Sequence, residues 1–229
     1  MMIIAIDGPA GAGKSTVTRK LAERLGFSFL DTGAMYRAIT WAALDRKVEF
    51  TDLDALLALA AGLDIALDGE CVLVDGRDVS ADIRLPQVTR NIFQVADHPG
   101  IRDILVQLQR KIGATGNFVC EGRDQGTVAF PDAVCKIYLD ASPRFRAMRR
   151  VAQMEAKGQY VDFDQVVAEQ QLRDERDSNR EVGRLMRAED AVEVNTDNQS
   201  IEEVVTTLEQ IAREKITARS SQESARNQL

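Results

Sequence analysis

The feature that most constrains this chain is a glycine-rich segment at residues 8–15, which reads GPAGAGKS and matches the pattern G-x-x-x-x-G-K-S. Backbone N–H groups can converge on a polyphosphate only where small residues let the backbone approach it closely. In this pattern Lys14 reaches the β- and γ-phosphates, and the hydroxyl of Ser15 ligates Mg²⁺. We therefore predict a nucleoside triphosphate site formed by Gly8, Pro9, Ala10, Gly11, Ala12, Gly13, Lys14, Ser15 and Thr16.

The residues on either side of this segment favour a genuine phosphate loop over a chance match. Residues 2–6 (MIIAI) form a short apolar run that is typical of a buried parallel strand. Residues 16–25 place Val17, Leu21 and Leu25 at helical spacing. A strand, a phosphate loop and a helix in this order are the context that the motif requires.

Composition limits the classes of protein that the chain can belong to. With 229 residues and 45% hydrophobic content, we expect one main domain. A net charge of −7 opposes a general affinity for nucleic acid, and no apolar run is long enough to span a membrane. The three cysteines are odd in number and widely spaced, which favours reduced thiols. We expect a cytoplasmic monomer without nucleic-acid or membrane partners.

Short apolar runs that alternate with helical segments predict an α/β fold with a doubly wound parallel sheet. The five predicted strands are residues 2–6, 27–30, 117–120, 134–139 and 191–195. Alternation and two Asp-Gly turns at residues 64–80 predict a small antiparallel hairpin or meander. A helical region at residues 142–183 is broken near 158–160, and residues 218–229 lack an apolar period, so we expect disorder there.

Three further segments place charged residues directly after a predicted strand or along one helical face. They are DTGAMYR at 31–37, EGRDQGT at 121–127 and RDERDSNR at 173–180. On a helix, Arg173, Asp177 and Arg180 would share a face and present two guanidinium groups and a carboxylate to one ligand. The residues alone leave a salt-bridged surface helix open as the alternative.

Together with GPAGAGKS, these segments resemble the bacterial-type cytidylate kinases over essentially residues 2–212. The resemblance implies a P-loop NTPase three-layer fold with a five-stranded parallel sheet, an inserted monophosphate-binding subdomain and a helical lid. It places the core at about 1–36, 100–151 and 180–215, the insert at about 37–99 and the lid at about 152–179. The reaction it implies is phosphoryl transfer from ATP, with Mg²⁺, to CMP or dCMP.

The resemblance also implies roles for individual residues. Lys14, Arg123, Arg173 and Arg180 would be catalytic, and Arg173 would face the transferring phosphoryl group. The residues implied to bind the acceptor substrate are Thr32, Tyr36, Arg37, Arg102, Arg123, Asp124, Arg173, Asp177 and Arg180. Among these, the phosphate clamp is Arg37, Arg123 and Arg180, the ribose ligand is Asp177, and the readers of the cytosine edge are Arg102 and Asp124.

Two points in this comparison stay open at the level of the sequence. Arg146, Arg149 and Arg150 lie where lid-base arginines contact donor phosphates, and the sequence does not distinguish the three, with Arg150 taken as the ATP-binding candidate. Nine residues before Arg102, where relatives commonly have Ser, this chain has Phe93, which puts a hydroxyl contact to the base in doubt.

Alternatives to the cytidylate reaction come from two classes of protein. One is another small-molecule P-loop kinase that acts on a different nucleotide or on a metabolite such as dephospho-coenzyme A. The other is a nucleotide-dependent switch, which the many arginines and the missing N-K-x-D motif oppose. The single histidine, His98, is expected in a turn or at the surface, and Glu121 and Asp31 either hold Mg²⁺ through water or cap helices.

Overall fold

The structure is a computed structural model that describes residues 1–69, 71–156 and 158–226. The chain divides into two compact units. The core unit comprises Met1–Phe29 and the chain from Gly116 onward, and the inserted unit comprises Leu30–Thr115. Each unit has a hydrophobic core of its own.

The strands of the predicted parallel sheet are present among the described residues. In chain order the described strands are β1 (Ile3–Asp7), β2 (Ser28–Asp31), β3 (Ile65–Asp68), β4 (Cys71–Val74), β5 (Arg77–Asp78), β6 (Phe118–Gly122), β7 (Cys135–Asp140) and β8 (Val192–Asn195). Among the described residues, one sheet has five strands in the order β2-β6-β1-β7-β8, and β1 pairs in parallel with both β6 and β7. The prediction of a five-stranded parallel sheet is confirmed. Because β1 is the middle strand, the phosphate loop starts at the centre of one edge of the sheet.

Helices of the core unit pack against this sheet and against each other. They are α1 (Lys14–Leu25), α6 (Pro143–Glu155), α7 (Phe163–Asn179) and α8 (Ile201–Arg226). Helix α1 packs on β6 and on α8, and α8 packs on β7. The fully buried side chains at this interface include Ile4, Leu21, Val119, Leu139 and Leu208. No helix among the described residues is long and apolar enough to cross a membrane.

The inserted unit contains α2 (Thr32–Asp45), α3 (Leu53–Gly62), α4 (Pro86–Ala96) and α5 (Pro99–Gly113). Strands β3, β4 and β5 form a small antiparallel sheet, which confirms the meander predicted at residues 64–80. Asp75 and Gly76, between β4 and β5, both have positive φ angles, as an Asp-Gly hairpin turn requires. The core of the unit is built around Met35, Ile39 and Leu105.

The predicted break in the long helical region is confirmed between α6 and α7. Gly158 follows α6 with a φ of 73°, and its N–H donates to the carbonyl of Glu155. Glycine adopts this left-handed conformation without the steric cost that a side chain would add. The break reverses the chain so that α7 packs against α6.

The expectation of disorder from residue 218 is wrong for residues 218–226, because α8 continues to Arg226. Residues 227–229 of that expectation lie outside the described residues. The hydroxyls of Ser220 and Ser221 donate to the carbonyls of Ile216 and Thr217 along the helix. Residues 218–221 are exposed, which accounts for the missing apolar period there. A helix that is already nucleated extends through such residues without a buried face.

Candidate functional site

The phosphate loop joins the end of β1 to the start of α1. Gly13 has a left-handed backbone with a φ of 90°, and Lys14 is the first residue of α1. Gly8 is required for a steric reason, because a Cβ atom there would lie 2.0 Å from the carbonyl oxygen of Leu139 in β7. Ser15 and Thr16 follow in the exposed first turn of α1. The predicted loop residues therefore form one continuous cradle at the N-terminus of a helix, where anions are favoured.

Lys14 is buried, and its ammonium group closes the loop on itself. The Nζ atom donates to the carbonyl of Gly8 at 2.7 Å and to the carbonyl of Pro9 at 2.7 Å. Burial lowers the pKa of Lys14 well below its ordinary value of 10.5, because the charged form loses its hydration. These two carbonyls fix the lysine inside the phosphate loop.

Other charges of the core unit act on this lysine. The guanidinium of Arg123 lowers the pKa of Lys14 further, and Arg173 acts in the same direction more weakly. The carboxylates of Glu121 and Asp7 oppose them. Like charges that face one another around a glycine-rich cradle favour an anion between them.

Asp7 is a buried carboxylate beside the phosphate loop that the sequence prediction did not single out. It is the last residue of β1 and is only 5% exposed. Its carboxylate accepts the backbone N–H of Gln125 at 2.8 Å and that of Gly126 at 2.8 Å. Asp7 therefore ties the strand before the phosphate loop to the segment that carries Arg123 and Asp124. The available signal was a carboxylate at the end of an apolar strand, directly before the first glycine of the loop.

Burial raises the pKa of Asp7 to about 6. The N–H groups of Gly126 and Gln125 oppose this rise, the neighbouring Asp124 adds to it, and Lys14 opposes it weakly. The group thus changes charge in a pH range where most carboxylates of a protein are fully ionised.

The three lid-base arginines are placed differently from one another. Arg146 is buried and donates through Nη1 to the carbonyl of Ala10 at 2.9 Å. Arg149 donates through Nη1 to the carbonyl of Ala12 at 3.3 Å and through Nη2 to that of Thr196 at 2.6 Å. Arg150, the residue taken as the ATP-binding candidate, is exposed on α6. Arg146 and Arg149 are therefore the two that brace the phosphate loop in the described structure.

Asp177 lies between two arginines. Its Oδ2 atom accepts from Nε of Arg123 at 2.9 Å, and its Oδ1 atom accepts from Nη2 of Arg180 at 2.7 Å. Burial opposes the ionisation of Asp177, but the charges of Arg123, Arg173 and Arg180 outweigh it and hold the pKa of this carboxyl below its ordinary value. The structure thus brings together four residues that the sequence assigned to the acceptor.

The prediction that Arg180 shares a helical face with Arg173 and Asp177 is wrong. Helix α7 ends at Asn179, and Arg180 has an extended backbone with a ψ of 139°. It reaches Asp177 from just beyond the helix as an i, i+3 pair and does not lie on the helical face. Residues Asp177–Asn179 form the last turn of α7. The backbone changes direction at Arg180, so the buried guanidinium of Arg180 turns back towards the carboxylate of Asp177.

In the inserted unit, the structure brings Tyr36 and Arg102 together. The Cζ atom of Arg102 lies 5.3 Å from the centroid of the Tyr36 ring, and Nη1 of Arg102 donates to the carbonyl of Ala96 at 2.9 Å. Arg37 donates through Nη1 to the hydroxyl of Thr89 at 2.9 Å. Thr32 is buried in the first turn of α2.

Two acidic or titratable residues have structural roles in this unit. Asp31 is the N-cap of α2 and accepts the N–H of Ala34 at 2.9 Å. His98 is the N-cap of α5, where Nδ1 faces the N–H of Ile101 and Nε2 lies 3.2 Å from the carbonyl oxygen of Leu53. His98 thus caps a helix in the short connection between α4 and α5.

A parallel sheet whose central strand runs into this phosphate loop, with arginines and a lysine grouped beside it, defines the class of P-loop nucleotide-binding proteins. Among solved structures, a crystal structure of an uncharacterized protein from Eubacterium ventriosum ATCC 27560 matches this chain with a TM-score of 0.50 and 14% sequence identity. The match covers 93% of this chain and 99% of that one. This likeness supports the fold alone.

The sequence comparisons are more specific. The family model for cytidylate kinase matches residues 4–214. A cytidylate kinase of Rhodopirellula baltica is 45% identical over 217 residues, which cover 95% of each chain. A bifunctional pantoate ligase/cytidylate kinase of Synechococcus sp. is 48% identical over 92% of this chain, which spans 44% of that relative. The chain belongs to the cytidylate kinase family.

The buried carboxylate of Asp7 gives a prediction about pH and stability. Its folded-state pKa of about 6 exceeds the ordinary 3.8, so its protonation favours the folded state. Relative to an Asp7→Asn variant, the wild type should lose about 2–3 kcal/mol of unfolding free energy as the pH rises from about 4 to about 7. Urea unfolding of both proteins across this range measures the difference.

An Asp132→Asn variant is the matched control, because Asp132 is exposed in the same unit. The difference in unfolding free energy between the wild type and Asp7→Asn should change with pH, whereas the difference between the wild type and Asp132→Asn should not. If both differences are equally flat with pH, the raised pKa of Asp7 is contradicted.

Proposed function

We propose that the chain transfers the γ-phosphoryl group of ATP to the phosphate of CMP or dCMP, giving ADP and CDP or dCDP. Membership of the cytidylate kinase family supports the reaction. The observation that carries the assignment of residues is the charge arrangement of the core unit. Arg123 acts electrostatically on Lys14 and also donates to Asp177, so one guanidinium links the donor loop to the predicted acceptor residues.

The chemistry can rest on positioning and charge neutralisation without a general base. A phosphate monoester is already largely a dianion near neutral pH and can attack once it is aligned in line with the leaving oxygen. Lys14, Arg123 and Arg173 would neutralise the charge that spreads over the transferring group. Arg180 and Asp177 would orient the acceptor, with Asp177 exchanging part of its arginine contacts for ribose hydroxyls.

Mg²⁺ fits the donor set of this loop. The described residues contain no group of three His, Cys, Asp or Glu side chains that could hold a metal ion. Mg²⁺ keeps several waters and takes few protein ligands when it is bound with nucleotide phosphates. The exposed hydroxyl of Ser15 would be its protein ligand, and Glu121 would be a further ligand through water, as the sequence raised. When bound with ATP, the ion supplies neutralisation of phosphate charge.

Recognition of cytosine is proposed for Arg102 and Asp124. A guanidinium and a carboxylate suit a base that presents an exocyclic amine beside a ring nitrogen and a carbonyl, and uracil reverses part of this pattern. Arg102 is buried against the ring of Tyr36, which limits its rotation, and Asp124 is also buried.

A cytoplasmic location and a monomeric state stay predictions from the sequence.

An acceptor panel tests the reaction. Coupled ADP release with Mg-ATP should be strongly stimulated by CMP and dCMP, and much less by UMP, AMP, GMP and TMP or by buffer alone. A different preferred acceptor would retain the kinase and remove the cytosine site. ADP release that no acceptor stimulates would contradict phosphotransfer and favour a nucleotide switch.

The position of Arg180 gives a second prediction. Arg180→Ala should lower turnover with CMP by roughly 10- to 100-fold, because it removes charge-assisted hydrogen bonds at the acceptor phosphate. The Kd for ATP should stay within about twofold, since Asp177 keeps its contact with Arg123. Steady-state kinetics with CMP and calorimetric titration with ATP measure the two effects.

Arg184→Ala is the matched control, because it removes the same charge from an exposed position nearby. Equal losses of CMP turnover and ATP affinity in Arg180→Ala would contradict the acceptor assignment.

A further inference from the structure

The lid helix α7 holds the phosphate loop through an ion pair that the sequence prediction did not single out. Asp174 of α7 pairs with Nη1 of Arg146 in α6. The same Nη1 atom donates to the carbonyl of Ala10 at 2.9 Å, and Oδ1 of Asp174 faces the N–H of Ala10 at 3.4 Å. The ion pair therefore engages both the N–H and the carbonyl of a single loop residue.

A second contact makes α7 sensitive to the shape of the loop. The side chain of Gln170 donates to the carbonyl of Arg146 at 3.4 Å, and it lies close enough to Gly11 that a Cβ atom on that glycine would be 3.0 Å from Nε2. Gln170 and Asp174 are four residues apart and lie on one face of α7. This face of the helix rests directly on the phosphate loop at two consecutive residues, Ala10 and Gly11.

Two other residues of α7, Arg173 and Asp177, belong to the proposed acceptor site. Arg173 precedes Asp174 and acts electrostatically on both Lys14 and Asp177. Asp177 lies one turn beyond Asp174 and is held by Arg123 and Arg180. Helix α7 therefore contacts the phosphate loop at one turn and carries a proposed acceptor residue at the next, so it connects the two sites.

We propose that Asp174, through its ion pair with Arg146, is a positioning residue that couples ATP binding in the phosphate loop to CMP binding at α7. When phosphates fix the loop, the peptide of Ala10 is held in one orientation. The ion pair then orders α7, so the second ligand meets residues that are already in place. The ordering cost is met once, which produces positive cooperativity between the ligands. The proposal rests on the proposed function.

The test is the ratio of two dissociation constants for CMP on the full chain. Calorimetry measures the Kd without nucleotide and with a saturating Mg complex of the non-hydrolysable analogue adenosine 5′-(β,γ-imido)triphosphate. The wild type should bind CMP at least about fivefold more tightly with the analogue present. In Asp174→Asn the ratio should fall to about 1–2, while the Kd for CMP alone stays within about twofold.

Two further variants make the result decisive. Glu175→Gln removes a neighbouring exposed carboxylate from the same helix and should keep the wild-type ratio. Arg146→Lys keeps the charge but not the branched contacts with Ala10 and Asp174, so it should lose the coupling as Asp174→Asn does. It also replaces Asp174→Asn if that variant does not fold.

The outcomes separate this proposal from the proposed function. Wild-type turnover with CMP decides the reaction independently of any ratio. An active wild type with a ratio of one, or a folded Asp174→Asn variant that keeps the wild-type ratio, would overturn the coupling while leaving the kinase assignment intact.

Discussion

The structure depends on the burial of one lysine at the start of α1. The ammonium group of Lys14 donates hydrogen bonds to the carbonyls of Gly8 and Pro9. Burial and the positive charge of Arg123 both disfavour the charged form of this lysine and lower its pKa. A cation that is buried among other cations is stable only if backbone oxygens, carboxylates or an incoming anion balance it. The phosphate loop is therefore built as a site that a polyphosphate completes.

The sheet makes this arrangement possible. As the middle strand, β1 brings the loop to the centre of one edge, and β6 runs beside it in parallel with Ile6 opposite Glu121. The carboxyl ends of the two strands meet there, so Asp7 can accept two N–H groups from the segment after β6. The side chain that precedes the loop thus fixes the segment that carries Arg123. The residues of the core unit that we propose for the donor and for the acceptor share one backbone framework.

Sequence patterns predicted the parts of this framework that follow from periodicity and turn chemistry. The five parallel strands, the meander with its Asp-Gly turn and the break at Gly158 are confirmed, because each depends on local residues. Arg123 and Arg180 both contact Asp177 in the structure, but the end of α7 at Asn179 was not visible in the helical spacing. Asp7 and Asp174 were missed because their roles come from backbone groups distant in the chain, which no periodicity encodes.

The central claim, that the loop holds a lysine whose charge is completed by phosphate, is tested most directly by proton uptake on ATP binding. Calorimetry in buffers of different ionisation enthalpy, at pH values from about 8 to about 9.5 where ATP is fully ionised, counts the protons taken up. Since the pKa of Lys14 is lowered in the empty loop and phosphate raises it, the wild type should take up protons, and Lys14→Arg, which stays charged, should not. Binding of ATP to the wild type without proton uptake anywhere in this range would contradict the account.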